Sequence, residues 1–189
     1  MSASPSPAIR IRHGMASDAR ELAEFGRRIF TETFGADNRP EDMAAYLAQT
    51  YGEPQQRAEL TGEENTFLVA ERGGRIVGYA FVRPGTNPAG KPDGARELEL
   101  ARFYIDGSLH GTGAARTLMD RVVSETRARG ATSLWLGVFE KNPRAIRFYE
   151  KCGFRDVGGQ FFTVGTDVQR DRVMRREIDA APRAREANG

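Results

Sequence analysis

Apolar residues along this chain recur at two periods, and the switches between them mark out its elements. Ala8–His13 reads as a short first strand. From Ala19, the apolar residues Leu22, Ala23, Ile29 and Phe30 follow helical spacing, and Ser17 stands where an N-cap is expected. Pro40 with Glu41 and Asp42 predicts a second helix start, running to about Tyr51. Thr66–Glu71 and Arg75–Val82 are apolar, β-branched stretches around Gly73-Gly74, the signature of a hairpin. Thr86–Gly94, dense in Pro and Gly, is a loop.

Arg96–Asp106 reads as a strand that changes parity. Its apolar residues fall at even positions first (Leu98, Leu100) and then at odd ones (Ala101, Phe103, Ile105). A regular strand keeps one parity, so the flip predicts either a β-bulge near Leu100–Ala101 or a strand buried on both faces. Ala115, Leu118, Met119, Val122, Val123 and Thr126 then trace a helical face that ends at Gly130. Ser133–Phe139 is a further strand, Asn142–Cys152 a short helix stopped by Gly153, and Gln160–Val164 and Arg172–Ile178 are closing strands. This alternation predicts one α/β (α+β) domain over residues 8–179, built on a mixed sheet that is mostly antiparallel. The polar segments at 1–7 and 180–189 are expected to be unstructured tails.

Composition narrows the class. The 189 residues are 39% hydrophobic and 29% charged, as in a soluble globular protein, and no apolar run has the length to cross a bilayer. The opening segment MSASPSPAIR lacks the apolar core of a signal peptide, so a cytoplasmic protein is expected. A single cysteine, Cys152, excludes an internal disulfide, and two histidines (His13 and His110) are too few for a His-rich metal site. No metal is expected. Net charge is +2 with both signs dispersed, which gives no electrostatic case for nucleic acid or membrane as partner.

Candidate chemistry starts at His110-Gly111-Thr112-Gly113-Ala114-Ala115, where a strand runs into a helix. Glycines allow close backbone approach, and a helix N-terminus offers free N–H groups and partial positive charge, together a site for phosphate oxygens. A tight strand-to-helix turn without a ligand has the same signature. A Walker loop would end in Lys-Ser/Thr, whereas Ala114-Ala115 follow here, and a Rossmann fingerprint would want Gly or Ala at Arg116. Downstream stands Asn142-Pro-Arg-Ala145-Ile-Arg-Phe148-Tyr149-Glu-Lys-Cys152-Gly153-Phe154, in which Asn142 and Tyr149 share nearly one helical face.

These two motifs resemble those of the Gcn5-related N-acetyltransferases (GNAT). The loop is similar to the family's Gln/Arg-x-x-Gly-x-Gly/Ala, matched at Gly113 and Ala115 and departing at His110. The second motif resembles Asn-x-x-Ala-x-x-Phe-Tyr-x-x-x-Gly-Phe. The resemblance implies a central sheet of about six to seven strands with helices on both faces, and acetyl-CoA as co-substrate. It implies cofactor contacts along Phe103, Tyr104 and Ile105, through the 110–115 loop, and at Asn142, Ala145 and Phe148. Tyr149 would protonate the departing thiolate, and the acetyl group would pass directly to an amine in a ternary complex.

The amine must shed a proton before it can attack, which calls for a carboxylate. Glu99 on the parity-changing strand is the first candidate and Glu97 the reserve; the family often has a glutamate at the position of Glu99. Thr31-Glu-Thr-Phe-Gly35, Asn38–Met43, Tyr46-Leu47, Trp135–Asn142 and Phe161–Met174 resemble the PaiA-type spermidine/spermine N-acetyltransferases. That likeness implies an acceptor wall bearing Glu32, Phe34, Asp37, Glu41 and Asp42 and a small amine as acceptor, with a polyamine weighed against a protein or peptide amine. A non-catalytic acyl-CoA sensor is the rival reading. Strand edges at the end of such a fold leave room for a homodimer.

Overall fold

The computed structural model describes residues 8–36, 38–92, 95–164 and 166–179. Along the chain come β1 (Arg10–His13), α1 (Ala19–Phe34), α2 (Pro40–Thr50), α3 (Glu53–Thr61), β2 (Thr66–Arg72), β3 (Arg75–Pro84) and β4 (Glu97–Ile105). They are followed by α4 (Ala114–Ala128), β5 (Ser133–Phe139), α5 (Pro143–Lys151), β6 (Arg155–Val164) and β7 (Asp167–Glu177). The strands form a seven-stranded sheet in the order β1-β2-β3-β4-β5-β7-β6. Every pairing is antiparallel except β4 with β5. The expected tails lie outside the described residues. Among the described residues, no helix is long and apolar enough to cross a membrane.

Two apolar layers cover the sheet. On one face, Leu118, Met119, Val122 and Val123 of α4 pack with Leu68, Ala80, Leu98, Leu134 and Leu136. On the other, Leu22, Phe25 and Ile29 of α1 meet Phe67, Val69, Tyr79 and Phe81. The amphipathic spacing read from the sequence therefore places α1 and α4 on opposite faces.

The parity flip is a bulge. Phe81 faces Arg102 while its neighbour Val82 faces Leu100, which leaves Ala101 without a partner on β3. The bulge turns Phe103 and Ile105 toward the α4 layer and Ala101 and Tyr104 toward α1. β4 and β5 share a ladder only over Glu97–Glu99 against Ser133–Trp135, and beyond it they part.

Several elements differ from expectation. The helix α3 has no apolar stripe to announce it, because the face it buries is polar: Gln56 and Glu59 are both buried. Gln56 donates to Thr50 O at 3.0 Å. Glu59 takes a two-pronged bond from Arg102, Nη1 to Oε2 at 2.5 Å and Nη2 to Oε1 at 3.0 Å. The Arg102 guanidinium lies 5.2 Å from the Tyr51 ring centre and 5.3 Å from that of Phe81. Ser17 does not cap α1; a 3-10 turn over Ala16–Asp18 leads into it, and Asp18 Oδ2 accepts from the Met15 N–H at 2.8 Å. β6 and β7 extend well past the expected strands. Gly158-Gly159 sits at a register shift between Asp156 and Gly158 within β6.

Removing one member of a buried ion pair strands the other charge. Glu59→Ala is therefore expected to lower the unfolding free energy by about 3–5 kcal/mol, measured by urea denaturation. A loss below about 1 kcal/mol, the worth of a surface pair, would show that water reaches the site.

Candidate active site

Where β4 and β5 part, they leave a cleft of about 660 Å³. Its β4 wall carries Glu99, Phe103, Tyr104 and Ile105, and its loop wall His110, Gly111, Gly113 and Ala115. From α5 and its approach come Asn142, Ala145, Phe148 and Tyr149. Of the residues expected at the cofactor, only Thr112 and Ala114 are not on its lining. The Thr112 hydroxyl donates to Leu109 O at 2.7 Å and Ala114 is buried under the helix start.

The loop has the geometry of an anion cradle. Gly111 and Gly113 adopt φ of +78° and +87°, and no atom lies within 4 Å of where a Cβ would stand on either, so the backbone is open to a ligand. Thr117 N–H is the first amide of α4 to reach back to a carbonyl, Gly113 O at 3.0 Å. The earlier amides at Ala115 and Arg116 are left to an anion, with the helix dipole behind them. Arg144 Nη1 donates to His110 Nδ1 at 3.1 Å, so a fixed cation stands beside the histidine that departs from the expected Gln or Arg. Arg144 lay within the quoted motif; its place in the first turn of α5, facing the loop, is a tertiary fact.

Asn142 is the N-cap of α5 rather than a member of it. Its Oδ1 accepts from Ala145 N–H at 3.1 Å, which fixes the side chain and leaves the Nδ2 hydrogens for a ligand. Tyr149 packs edge-on to Phe103, Phe148 and Phe154, with centroids 6.3, 5.4 and 5.7 Å away. Burial holds its phenol well above the ordinary value, so it stays protonated at neutral pH. Cys152 is buried, and burial pushes its thiol up, so it packs as a small apolar group.

The remaining expected residues separate. Glu99 reaches the cleft, and its Oε2 accepts from Arg83 Nε at 2.7 Å. Glu97 is outside it, buried at the closed end of the sheet, where Oε1 accepts from Ser133 Oγ at 2.8 Å. Phe34 lines the cleft, and Glu32 lines an adjoining hollow of about 410 Å³ at its mouth while pairing with Arg28 at 3.1 Å. Asp37 lies outside the described residues. Glu41 is exposed, 3.9 Å from Arg39. Asp42 holds α2 to the β6–β7 turn through Thr166 N and Oγ1, each at 2.9 Å, and those bonds lower its carboxyl below the usual range. Periodicity also passed over Arg83, Tyr46, Phe139, Gln160, Phe162, Gln169 and Asp171, all on the lining. The last four belong to the β6–β7 hairpin, whose inner face reads as ordinary polar alternation.

Comparison with known proteins gives the family and the fold. Residues 24–154 match the model of the acetyltransferase (GNAT) family. An uncharacterized N-acetyltransferase of Mycobacterium tuberculosis is 36% identical over 162 residues, covering 86% of this chain and 99% of that protein. Another, from the pepI 3' region of Lactobacillus delbrueckii subsp. lactis, is 30% identical over 172 residues, with 90% and 98% covered. A PaiA N-acetyltransferase of Thermoplasma acidophilum, crystallised with coenzyme A, superposes with a TM-score of 0.73 at 19% identity, over 90% of this chain and 99% of that one. At that identity it shares the fold.

Because Asn142 caps α5 as well as facing the cleft, Asn142→Ala is expected to cost about 1 kcal/mol of stability, read by thermal or urea unfolding. Asn142→Asp, which keeps the acceptor oxygen, is expected to recover most of it.

Proposed function

The chain belongs to the GNAT family of acetyltransferases, and from that premise we propose that it moves acetyl from acetyl-CoA directly to a small cationic amine, with a polyamine such as spermidine as the favoured acceptor. The observation that carries this reading is that an open anion cradle and a protonated tyrosine line one cleft. The loop amides and Arg144 would hold the pyrophosphate. The free Nδ2 of Asn142 would donate to the pantetheine arm, and Phe103 and Phe148, stacked 5.5 Å apart, would floor it.

The chemistry then needs two protons taken from the nitrogen and one delivered to the sulfur. A primary amine, with pKa about 10, is protonated at neutral pH and has no lone pair to offer. Once it is deprotonated, nitrogen attacks the thioester carbonyl carbon, and the C–S bond breaks as the carbonyl re-forms. Tyr149 would give its hydroxyl proton to the leaving sulfur and recover one from the nitrogen. Two carboxylates, Glu99 and Asp171, line the cleft, as do the rings of Phe34, Tyr46, Phe139 and Phe162. Carboxylates set among aromatic faces suit an ammonium ion, which supports a cationic acceptor.

The deciding measurement is release of CoA thiol from acetyl-CoA with spermidine, spermine, small diamines and peptides bearing free N-termini. Turnover of polyamines is expected, with kcat in Tyr149→Phe lowered roughly tenfold or more. Turnover of peptides alone would move the acceptor to a protein amine. Tight acetyl-CoA binding with no turnover would leave a sensor. Separately, Arg144→Ala is expected to raise the acetyl-CoA Kd roughly tenfold, the loss of one charge-assisted bond. That difference is expected to shrink at high salt, as calorimetry at two ionic strengths would show.

A further inference from the structure

Nearly every carboxylate in the interior is spoken for. Glu59 has Arg102, Asp18 has Arg12, Glu97 has Ser133 and Arg175, and Asp42 has the Thr166 amide and hydroxyl. Even the half-exposed Glu32 and the cleft residue Glu99 have arginines, Arg28 and Arg83. Asp171 is different: it is 9% exposed, it lines the cleft, and among the described residues no arginine, lysine or histidine stands within ion-pair distance of it.

Its placement follows from the register. Asp171 on β7 lies between Phe139 of β5 and Gln160 of β6, just where β5 has parted from β4. Next to Phe139 on the same face, two residues back along β5, is Gly137. A Cβ there would stand 3.1 Å from Asp171 Oδ2 and would collide with the Gln160 amide nitrogen. The missing side chain makes room for the carboxylate and the amide to lie over the β5 backbone on the floor of the cleft. The groups that face Asp171 are Tyr46 from α2, Gln160 from β6 and Glu140 from the turn after β5. Glu140 is itself 3.9 Å from Arg170. None of these supplies a positive charge.

We propose that Asp171 is the carboxylate that receives the acceptor's ammonium group and takes its proton, with Gln160 as its positioning partner. This rests on the transferase reading above. The acceptor enters as R–NH3⁺, and its charge supplies the counter-ion that the protein withholds. One proton passes to the Asp171 carboxylate and frees the nitrogen lone pair. Nitrogen bonds to the acetyl carbon, sulfur leaves and is protonated through Tyr149, and the second nitrogen proton restores the tyrosine. Asp171 then returns its proton to solvent, so one proton is released per acetyl group transferred. Glu99 is the weaker candidate, since Arg83 already supplies it with a cation. Burial pushes the Asp171 carboxyl up to about 6, against the opposing hydrogen bond of Gln160 and with a smaller push from the Glu140 charge. A base at that value is ionised at neutral pH and still accepts protons readily. Leaving a carboxylate buried without a partner destabilises a fold, a burden found at functional sites.

The test compares wild type, Asp171→Asn, Asp171→Glu and Glu99→Gln with spermidine at saturating acetyl-CoA from pH 5 to 9. Wild-type kcat/KM is expected to fall as pH drops below about 6, the base being protonated there. Asp171→Asn is expected to lose roughly 100-fold or more and the acid limb with it, while its acetyl-CoA Kd stays within about threefold. It should also melt no lower than wild type, since it removes a desolvated charge. Asp171→Glu should restore the limb in part, and Glu99→Gln should keep it. An Asp171→Asn enzyme within about threefold of wild type, or one that keeps the limb, overturns the assignment but leaves the transferase standing. If wild type acetylates no amine, the transferase reading fails, and Asp171 is judged by two other measurements on the CoA complex. A carbon-13 carboxyl signal titrating near pH 6, with spermidine affinity about tenfold lower in Asp171→Asn, supports the acceptor site. A signal titrating below about 5 rejects it.

Discussion

Three ladder residues join β4 to β5, and the rest of the molecule depends on where that join stops. Up to Glu99 the sheet is continuous and its interior is filled by side chains from both helical layers. After Glu99 the extra residue at Ala101 bends β4 while β5 continues with β7 as its antiparallel neighbour. Two strands that part expose unpaired backbone groups, which a folded protein ordinarily avoids. Here the gap is the cleft, and an extended ligand laid along it would complete the bonding that the bulge interrupts. A single unpaired residue thus converts a stability requirement into a binding requirement.

On the proposed reading, the two ends of the cleft would hold their ligands by different means. At the loop end the chemistry is carried by backbone: two glycines at positive φ, and the open amides at the start of α4. Such a site would tolerate change in side chains, which accommodates His110 at the loop's first position with Arg144 beside it. At the other end the chemistry is carried by side chains from α1, α2 and the β6–β7 hairpin. A single substitution there alters charge or shape directly. Family membership therefore speaks firmly for the acetyl donor and weakly for the acceptor.

What the chain revealed on reading follows the same division. The bulge was legible because a parity flip in Leu98–Ile105 has few physical causes, and the loop and the end of α5 were legible because glycines act locally. The helix α3 was not, because Glu59 and Gln56 bury polar atoms against partners remote in sequence, Arg102 among them. Asp171 was missed for a similar reason. On β7 it sits in a polar, charge-rich run that alternates like any half-exposed strand, and only the pairing of β5 with β7 brings it beneath the cleft. Glu97 and Glu99, two residues apart on one strand, were equivalent to periodicity. The end of the ladder separates them, one closed in with Ser133 and the other open to the cleft.

The contrast between Arg102 and Asp171 shows how charge is distributed for two purposes. Arg102 is largely withdrawn from solvent, but Glu59 and two aromatic faces satisfy it, so its desolvation is offset within the fold. Its charge is part of the architecture that holds α3, Tyr51 and β4 together. Asp171 is buried to a similar degree with an amide for company and a second negative charge at Glu140. A fold selected for stability alone would neutralise it or replace it by an apolar residue of similar size. Its persistence makes sense if the missing cation arrives from outside, because an interaction absent from the free protein is then available in full to the incoming ligand. An ammonium group set against an unpartnered carboxylate gains both the charge attraction and relief of the carboxylate's desolvation. The same low-dielectric setting favours the neutral pair that proton transfer produces. One physical circumstance, a carboxylate without a cation, therefore serves first to attract the acceptor and then to deprotonate it.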